Sequence, residues 1–451
     1  MGVPLNIPPP VSRTNSTLFV PLAERHEMFK SGELVWSKWQ TQLNNHIREV
    51  DPIYKGLAEW RPLNLARQID LSAIPLQGLY KETFDVQGFT TSLGISTGFR
   101  KYPIESGAFV EALHARNIEC IGKAAALAFG TNPKIYCVNP AYPSYSPGGS
   151  STGSGVCVAA GFCDFSLGVD TGGSVRHPSG NCGCVGIKLT HNELWLPGIF
   201  SISPNMDSVG MITRSVADLA FIWTRETLAE AFGLSTKEIE KPRLKVVGNL
   251  ENPELFDPPI WAAWQRTRRI LEDAKWVNDE YSLDVWDARN AAWDLLFHEL
   301  AVSNTENARH SLGYNDFENL GMGKLLSQDK YEDLLSLQKQ VIDYFDHLFS
   351  NCEVDFLILP LDSQMPRHVD TPPSTVYTPT PYEADPGFTV LANFAKLPAI
   401  VLPIKTSSGA PTAIQIWGRR GSDAALIFYA ARLEKFLSEE ETDLRFFDAV
   451  Y

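Results

Sequence analysis

Cysteines are scarce in this chain, and their spacing argues against two kinds of site. Only seven occur among 451 residues. Cys182 and Cys184 are separated by one residue, whereas a zinc-binding pair has at least two between its cysteines, and no second Cys/His pair lies nearby. We therefore expect no metal site and reduced, mostly buried thiols, as in a cytoplasmic protein.

Basic residues are also in short supply. The 39 Lys and Arg stand against 53 Asp and Glu, for a net charge of −14, and no polybasic run occurs. Sequence-independent nucleic-acid binding needs cationic side chains that neutralise phosphates. We therefore expect neither nucleic acid nor an anionic membrane surface as a partner.

Long apolar runs are missing as well. The longest, at 156–169, contains Asp164 and is shorter than the ~20 residues that span a bilayer. Residues 1–10 lack the charged and apolar regions of a signal peptide, and Asn6 stands where a myristoylation motif has Ser or Thr. These absences again predict a cytoplasmic protein.

The composition that is present, 44% hydrophobic and 20% charged, is that of a globular chain. Strand patterns at 78–94 and 118–121 alternate with a helix pattern at 109–117, which favours a parallel α/β sheet. Helix is also expected over 23–49. Sheet patterns return at 399–404 and 413–418, after a charged, helical middle, so we expect one interleaved core and a long proline-rich loop at 362–388.

A run of glycine and serine occupies residues 146–155. A flexible linker would have this composition. However, the run is followed by apolar segments and then by a second glycine-rich turn, 170–174, which favours a structured loop that allows close backbone approach.

Two short motifs compete for the catalytic serine. Gly149–Gly153 fits the G-x-S-x-G elbow with Ser151 as nucleophile, but a proline-rich segment stands where the elbow needs a strand. Ser336 and Lys339 fit S-x-x-K but lie in an amphipathic helix pattern. The glycine-rich run also lacks the G-K-[ST] ending of a phosphate loop.

A more specific arrangement is spread over three stretches: Gly122-Lys123, then 148–151, then 170–176. Together with the residues that flank them, these three stretches resemble the amidase signature family. The matching segments are 146–155, 164–176, 182–188 and 207–218, with weaker likeness at 84–88 and 393–399. The resemblance implies an α/β fold with one large core, in which helices cover both faces of a mixed, mostly parallel twisted sheet. We divide the chain into an N-terminal arm and helical region, 1–75, and an amidase domain, 76–451, with a mainly helical insertion at about 225–350.

The resemblance also implies a Ser–Ser–Lys triad. Ser174 matches the nucleophile, Ser150 the bridging serine that follows a cis peptide bond, and Lys123 the base. A serine hydroxyl needs a neighbour that accepts its proton, and lysine can do so only when burial lowers its pKa from about 10.4. The other candidates are the oxyanion-hole N–H donors Thr171, Gly172, Gly173 and Ser174, and the supporting residues Gly149, Ser151, Asp170 and Arg176.

The predicted function is hydrolysis of a small-molecule carboxamide, and we expect it to need no cofactor. A homodimer is a further expectation. Residues 191–206 and 290–330 are expected to supply the pocket, made apolar by Trp195, Phe200, Trp293 and Phe297.

Three alternatives stay open: an amide-forming acyltransferase on the same triad, one component of an amidotransferase complex, and a non-catalytic interaction protein. The last arises because alanines follow Lys123 where polar residues are usual in the family. In addition, His177 stands at a position that is usually apolar.

Overall fold

The structure is a computed structural model. It describes residues 7–12, 16–64, 69–94, 100–128, 136–225, 227–236, 239, 241–250, 253–311, 325–351, 354–371 and 388–440.

An 11-stranded sheet forms the centre of the molecule, in the order β1-β5-β2-β6-β8-β7-β12-β13-β11-β9-β10. Its strands are β1 Leu57–Trp60, β2 Leu76–Lys81, β5 Ile118–Ala124, β6 Phe165–Asp170, β7 Val185–Lys188, β8 Ser208–Thr213, β9 Leu244–Val247, β10 Val277–Tyr281, β11 Phe356–Pro360, β12 Ala399–Lys405 and β13 Pro411–Gly418. A small antiparallel pair, β3 Thr91–Ser92 and β4 Arg100–Lys101, lies outside it.

Parallel pairing is concentrated in two parts of this sheet. β2 runs parallel to both β5 and β6, and β9 runs parallel to both β10 and β11. The other six pairs are antiparallel. The sheet is therefore mixed, as predicted, but its central pairs, from β6 to β11, are antiparallel.

Twelve α-helices accompany the sheet in the described residues. They are α1 Leu22–Ser31, α2 Trp36–Tyr54, α3 Ala108–His114, α4 Thr152–Ala159, α5 Arg176–Asn181, α6 Val216–Arg225, α7 Leu228–Ala231, α8 Pro258–Asp273, α9 Arg289–Ser311, α10 Gln328–Asn351, α11 Val390–Phe394 and α12 Asp423–Glu440.

Side-chain alternation along the strands shows that both faces of the sheet are covered. In β11, Phe356 and Ile358 belong to one buried cluster, which includes side chains of α6 and α12. Leu357 and Leu359 belong to another, built with α9, α10 and α11. Successive strand residues point to opposite faces, so helices cover the sheet on both sides, as predicted.

Three segments differ in detail from the sequence-based expectations. The single helix expected over 23–49 is two helices, because Gly32 ends α1 in the left-handed conformation with φ of 79°. The region 1–75 contributes β1 to the sheet, and the helical middle contributes β9 and β10. Of the expected loop 362–388, residues 372–387 lie outside the described part, and 362–371 contain no helix or strand.

Among the described residues, no helix is both long and apolar enough to cross a membrane. The six cysteines of that part are free thiols. Within the same residues, no cluster of three or more His, Cys, Asp or Glu could hold a metal ion.

Candidate active site

The glycine turn, residues 170–176, begins where β6 ends and α5 starts. Asp170 is fully buried there, and its carboxylate accepts the N–H groups of Gly173 at 2.9 Å, Val175 at 3.1 Å and Arg176 at 3.2 Å. One carboxylate thus fixes the backbone of the whole turn.

A buried ion pair completes this arrangement. Arg176 Nη2 lies 2.9 Å from Asp170 Oδ1, and Nε lies 3.1 Å from Oδ2. Burial opposes ionisation of Asp170, but the Arg176 guanidinium and the backbone donors hold its pKa below the usual range. Arg176 also donates to Gln415 Oε1 and Asn393 Oδ1, which ties the turn to β13 and α11.

The conformation of the turn requires glycine at 173. Its φ is 119°, and a Cβ there would lie 2.5 Å from His177 Cδ2. The Gly173 N–H is held by Asp170, so this predicted oxyanion donor is already in use. For the N–H groups of Thr171, Gly172 and Ser174, the described part of the chain provides no acceptor. These three remain open to a ligand.

The serine loop, residues 146–151, lies against the glycine turn. The peptide bond between Gly149 and Ser150 is cis. The Ser151 N–H donates to the Ser174 carbonyl at 3.0 Å, and the Leu127 N–H donates to the Ser150 carbonyl at 3.0 Å. A Cβ on Gly149 would lie 2.2 Å from Leu127 Cδ1, so the Leu127 side chain packs where a side chain at 149 would lie.

Ser151 and Ser336, the serines of the two competing motifs, differ from Ser174 in how far they are buried. Ser151 is fully buried, with its hydroxyl 3.5 Å from the Val169 carbonyl. Ser336 and Lys339 are exposed on α10. The nucleophile candidate Ser174 is half-buried, at the start of α5.

Lys81, the last residue of β2, contacts Ser150. Its Nζ lies 2.8 Å from Ser150 Oγ, and both side chains are 1% exposed. Burial lowers the pKa of Lys81 to about 8, although the carboxylates of Asp207, Asp170 and Glu82 oppose that shift. A lysine with this pKa can accept a proton near neutral pH.

Lys123 does not make the contact expected of it. Its Nζ donates to the backbone carbonyls of Phe84 at 2.5 Å, Thr90 at 3.2 Å and Glu82 at 3.4 Å. Burial lowers the pKa of Lys123, but three carbonyl acceptors match the three N–H groups of an ammonium. The assignment of Lys123 as the partner of Ser150 is therefore corrected to Lys81.

The two lysines belong to adjacent parallel strands. Tyr80 is paired with Lys123, and Lys81 with Ala124, so the two lysines point to opposite faces of the sheet. The signal that could have separated them is local: Lys81 stands only three residues before the family-like segment 84–88, whereas Lys123 is followed by alanines.

Asp207 is a further residue of this region that sequence reasoning did not assign. Burial raises its pKa to about 6, and its carboxylate accepts the Thr171 hydroxyl at 2.6 Å and the Ser201 hydroxyl at 2.7 Å. It therefore holds the side chain of Thr171, the second residue of the glycine turn.

Aromatic side chains of α9 approach the turn from outside. A Cβ on Gly172 would lie 3.1 Å from Trp293 Cη2 and 3.3 Å from Leu296 Cδ1. Trp293 and Phe297 stack with ring centroids 5.9 Å apart. Trp195, which was expected in the pocket, packs instead in the core against Phe109 and Phe232.

The site thus brings a buried lysine into contact with a buried serine, beside a glycine turn at the end of a strand. The amidase family model matches residues 61–427. The chain belongs to the amidase family and is a hydrolase of carbon–nitrogen amide bonds.

The chain is also similar in sequence to individual relatives. Mandelamide hydrolase of Pseudomonas putida is 28% identical, over 93% of this chain and 95% of the relative. A glutamyl-tRNA(Gln) amidotransferase subunit of Wolinella succinogenes is 26% identical, over 79% of this chain and 88% of the relative. Both similarities extend over most of each chain.

Solved structures share the fold. A crystallised amidase has a TM-score of 0.75 at 22% identity, covering 92% of this chain and 99% of its own. A 6-aminohexanoate cyclic dimer hydrolase has the same TM-score at 21% identity, with coverage of 94% and 98%.

Proposed function

We propose that this chain hydrolyses a small-molecule carboxamide through an acyl-enzyme on Ser174, with Ser150 as proton relay and Lys81 as base. The observation that carries the proposal is the 2.8 Å contact between Lys81 Nζ and Ser150 Oγ, made beside the turn that bears Ser174. The proposal needs no cofactor, and it retains the expected cytoplasmic location.

The first half-reaction follows from that contact. Neutral Lys81 takes the Ser150 proton while Ser150 takes that of Ser174, whose Oγ forms a bond to the amide carbonyl carbon. The resulting oxyanion faces the open N–H groups of Thr171, Gly172 and Ser174. The lysine proton then returns through Ser150 to the leaving nitrogen as the C–N bond breaks, and an amine or ammonia leaves.

Water completes the cycle by the same relay. It gives one proton through Ser150 to Lys81 as its oxygen attacks the acyl carbon, and the Ser174 oxygen recovers that proton when the ester bond breaks. The products are a carboxylic acid and the free enzyme. If an amine captured the acyl group instead, the product would be a new amide, and product analysis with added amine separates the two outcomes.

The surroundings of the turn favour an apolar substrate. Trp293 and Leu296 lie close to Gly172, and the Trp293–Phe297 stack extends this apolar surface along α9. Flat apolar groups pack well against such rings. We therefore propose a small amide with an aryl or similarly flat apolar group, and the relative named for mandelamide is compatible with that class.

A second candidate is the glutamine-hydrolysing component of an amidotransferase. The relatives named as glutamyl-tRNA(Gln) amidotransferase subunits favour it, since the same chemistry would release ammonia from glutamine. The apolar residues beside Gly172 and the net charge of −14 count against it.

Covalent labelling tests the nucleophile. A fluorophosphonate probe should label the wild-type protein on the peptide that contains Ser174, and Ser174→Ala should not be labelled. Labelling that persists in Ser174→Ala would contradict the assignment, and no labelling of the folded wild type would favour a non-catalytic protein. Ammonia release from phenylacetamide, compared with glutamine, then separates the two substrate classes.

A further inference from the structure

The loop at 201–207, which precedes β8, is joined to the glycine turn by one carboxylate. Asp207, fully buried at the end of the loop, accepts the Thr171 hydroxyl at 2.6 Å with Oδ1. Its Oδ2 accepts the Ser201 hydroxyl at 2.7 Å and the N–H groups of the next two residues at 2.9 and 3.3 Å. This segment, which we call the anchor loop, is therefore fixed against the turn.

Glu299 binds the anchor loop from α9, and its side chain is buried, at 5% exposure. Its Oε2 accepts the Ser203 hydroxyl and, at 3.3 Å, the Asn205 N–H. Its Oε1 accepts the Asn205 side-chain amide at 2.5 Å and the Tyr331 hydroxyl of α10 at 2.9 Å. Two donors on each oxygen occupy all four acceptor positions of a carboxylate. Glu299 therefore joins α9 and α10 to the loop and has no acceptor position left for a substrate.

The same helix carries the apolar side chains that lie beside the glycine turn. Leu296 stands three residues before Glu299, which places the two on one face of α9. Trp293 stands three residues earlier still, and both apolar side chains lie within 3.3 Å of the place of a Cβ on Gly172. We call Trp293 and Leu296 the apolar wall. Because a helix moves as a rigid rod, a shift at Glu299 moves the wall against the turn.

Hydrogen bonds set the register of α9 more sharply than its apolar contacts do. Leu295, Leu296 and Leu300 belong to a buried apolar cluster, and apolar burial is not directional. Hydrogen bonds, by contrast, weaken steeply when their distance or angle changes. The position of the apolar wall relative to the turn is thus set through Glu299, the anchor loop and Asp207.

We propose that Glu299 is a positioning residue that determines substrate selectivity. By holding α9 against the anchor loop, it sets the gap between the apolar wall and the glycine turn, where the flat apolar group of the amide packs. This inference deepens the proposed function and rests on it, because it assigns the preference for such amides to a side chain that acts through α9.

Glu299→Gln is the first test, since it keeps the size of the side chain but turns one acceptor into a donor that faces donors. We expect kcat/KM for phenylacetamide to fall about tenfold relative to that for acetamide, chiefly through KM, because the flat group loses its packing while the amide still reaches the turn. Glu332→Gln, the same change at an exposed position of α10, is the matched control and should leave the ratio unchanged.

Two results of this experiment would overturn the proposal. A merely structural role would lower the free energy of unfolding of Glu299→Gln but leave the ratio of the two substrates unchanged. Equal losses with both amides would show that Glu299 acts on the glycine turn itself and not on the apolar wall.

Ser203→Ala reaches the same contact from the anchor loop. It removes one of the four donors to Glu299, so we expect a smaller fall of the same ratio. In the double variant with Glu299→Gln, the losses should be less than additive, because both substitutions break one contact. Fully additive losses would show that the two side chains act separately and would contradict the shared path.

The position of the apolar wall is measurable without turnover. In protein that contains 5-fluorotryptophan, the ¹⁹F signal of Trp293, assigned by its loss in Trp293→Phe, should shift in Glu299→Gln and in Ser203→Ala. It should stay in place in Glu332→Gln.

An unmoved Trp293 signal in folded Glu299→Gln would overturn the proposal whatever the activity. By contrast, a fluorophosphonate probe that spares Ser174 would refute the proposed function, and the ¹⁹F signal would still decide whether Glu299 holds the wall.

Discussion

Lys81 and Lys123 lie on neighbouring strands and have different hydrogen-bond partners. Both lie on adjacent parallel strands, both are at most 1% exposed, and burial lowers the pKa of both. Their acceptors differ: Lys81 meets the hydroxyl of Ser150, whereas Lys123 meets three backbone carbonyls. A hydroxyl can return a proton and a carbonyl cannot. The comparison teaches that the partner of a buried lysine, rather than its burial, indicates its role.

The largest expected effect is on Lys81. Lys81→Met should lower kcat/KM about 1,000-fold or more, because the relay loses its proton acceptor while the apolar stem is kept. Fluorophosphonate labelling rate and amide hydrolysis measure this, with urea unfolding as the check on folding. A folded Lys81→Met protein that labels at the wild-type rate would contradict the base assignment.

Lys123→Met is the matched substitution on the other strand. It leaves three carbonyl oxygens without their donor, and we expect the free energy of unfolding to fall by about 2–4 kcal/mol. Activity per folded molecule should change less than tenfold. If Lys123→Met instead abolished labelling in a stable protein, the roles of the two lysines would have to be exchanged.

The pH dependence of the fluorophosphonate labelling rate also distinguishes the two lysines. Since Lys81 must be neutral to accept a proton and its pKa lies at about 8, the labelling rate should rise about tenfold per pH unit below that value and level off above it. Rates between pH 6 and 10 measure this. Lys123→Met should keep the same profile, and a shifted midpoint in that variant would implicate Lys123 in the titration.

Glu82 connects the two lysines and should show the smallest effect. It follows Lys81 in the chain, its carbonyl accepts from Lys123, and its carboxylate accepts the Ala126 N–H at 2.7 Å. Glu82→Gln keeps the length and one acceptor, so we expect a loss of about 1 kcal/mol in unfolding free energy. A kcat change above tenfold would show that the carboxylate itself takes part.

The local parts of the site were predictable because their residues are close in sequence. The run 146–155 and the turn 170–176 each carry their own glycines, serines and acceptors, and two supporting residues of the turn, Asp170 and Arg176, form a buried ion pair. The membership of the amidase family and the mixed sheet with helices on both faces were likewise predicted and are confirmed.

One error arose inside the glycine turn and another where distant segments meet. Gly173 was expected to offer its N–H to an oxyanion, but Asp170 takes that hydrogen. Trp195 was expected in the pocket, but its ring completes a core cluster with Phe109 and Phe232. Packing against other elements decided where the Trp195 ring lies, whereas the Gly173 N–H is held by a residue of its own turn.

The low numbers of cysteines and basic residues in the sequence by themselves argued against a disulfide framework and a polybasic surface. The spacing of its glycines and serines indicated the glycine turn, the serine loop and the family. Only the tertiary structure decided which lysine meets Ser150. The sequence around each buried strand allows either lysine, but strand pairing sends Lys81 to one face of the sheet and Lys123 to the other. A proton can move only between groups in contact, and strand pairing sets that contact.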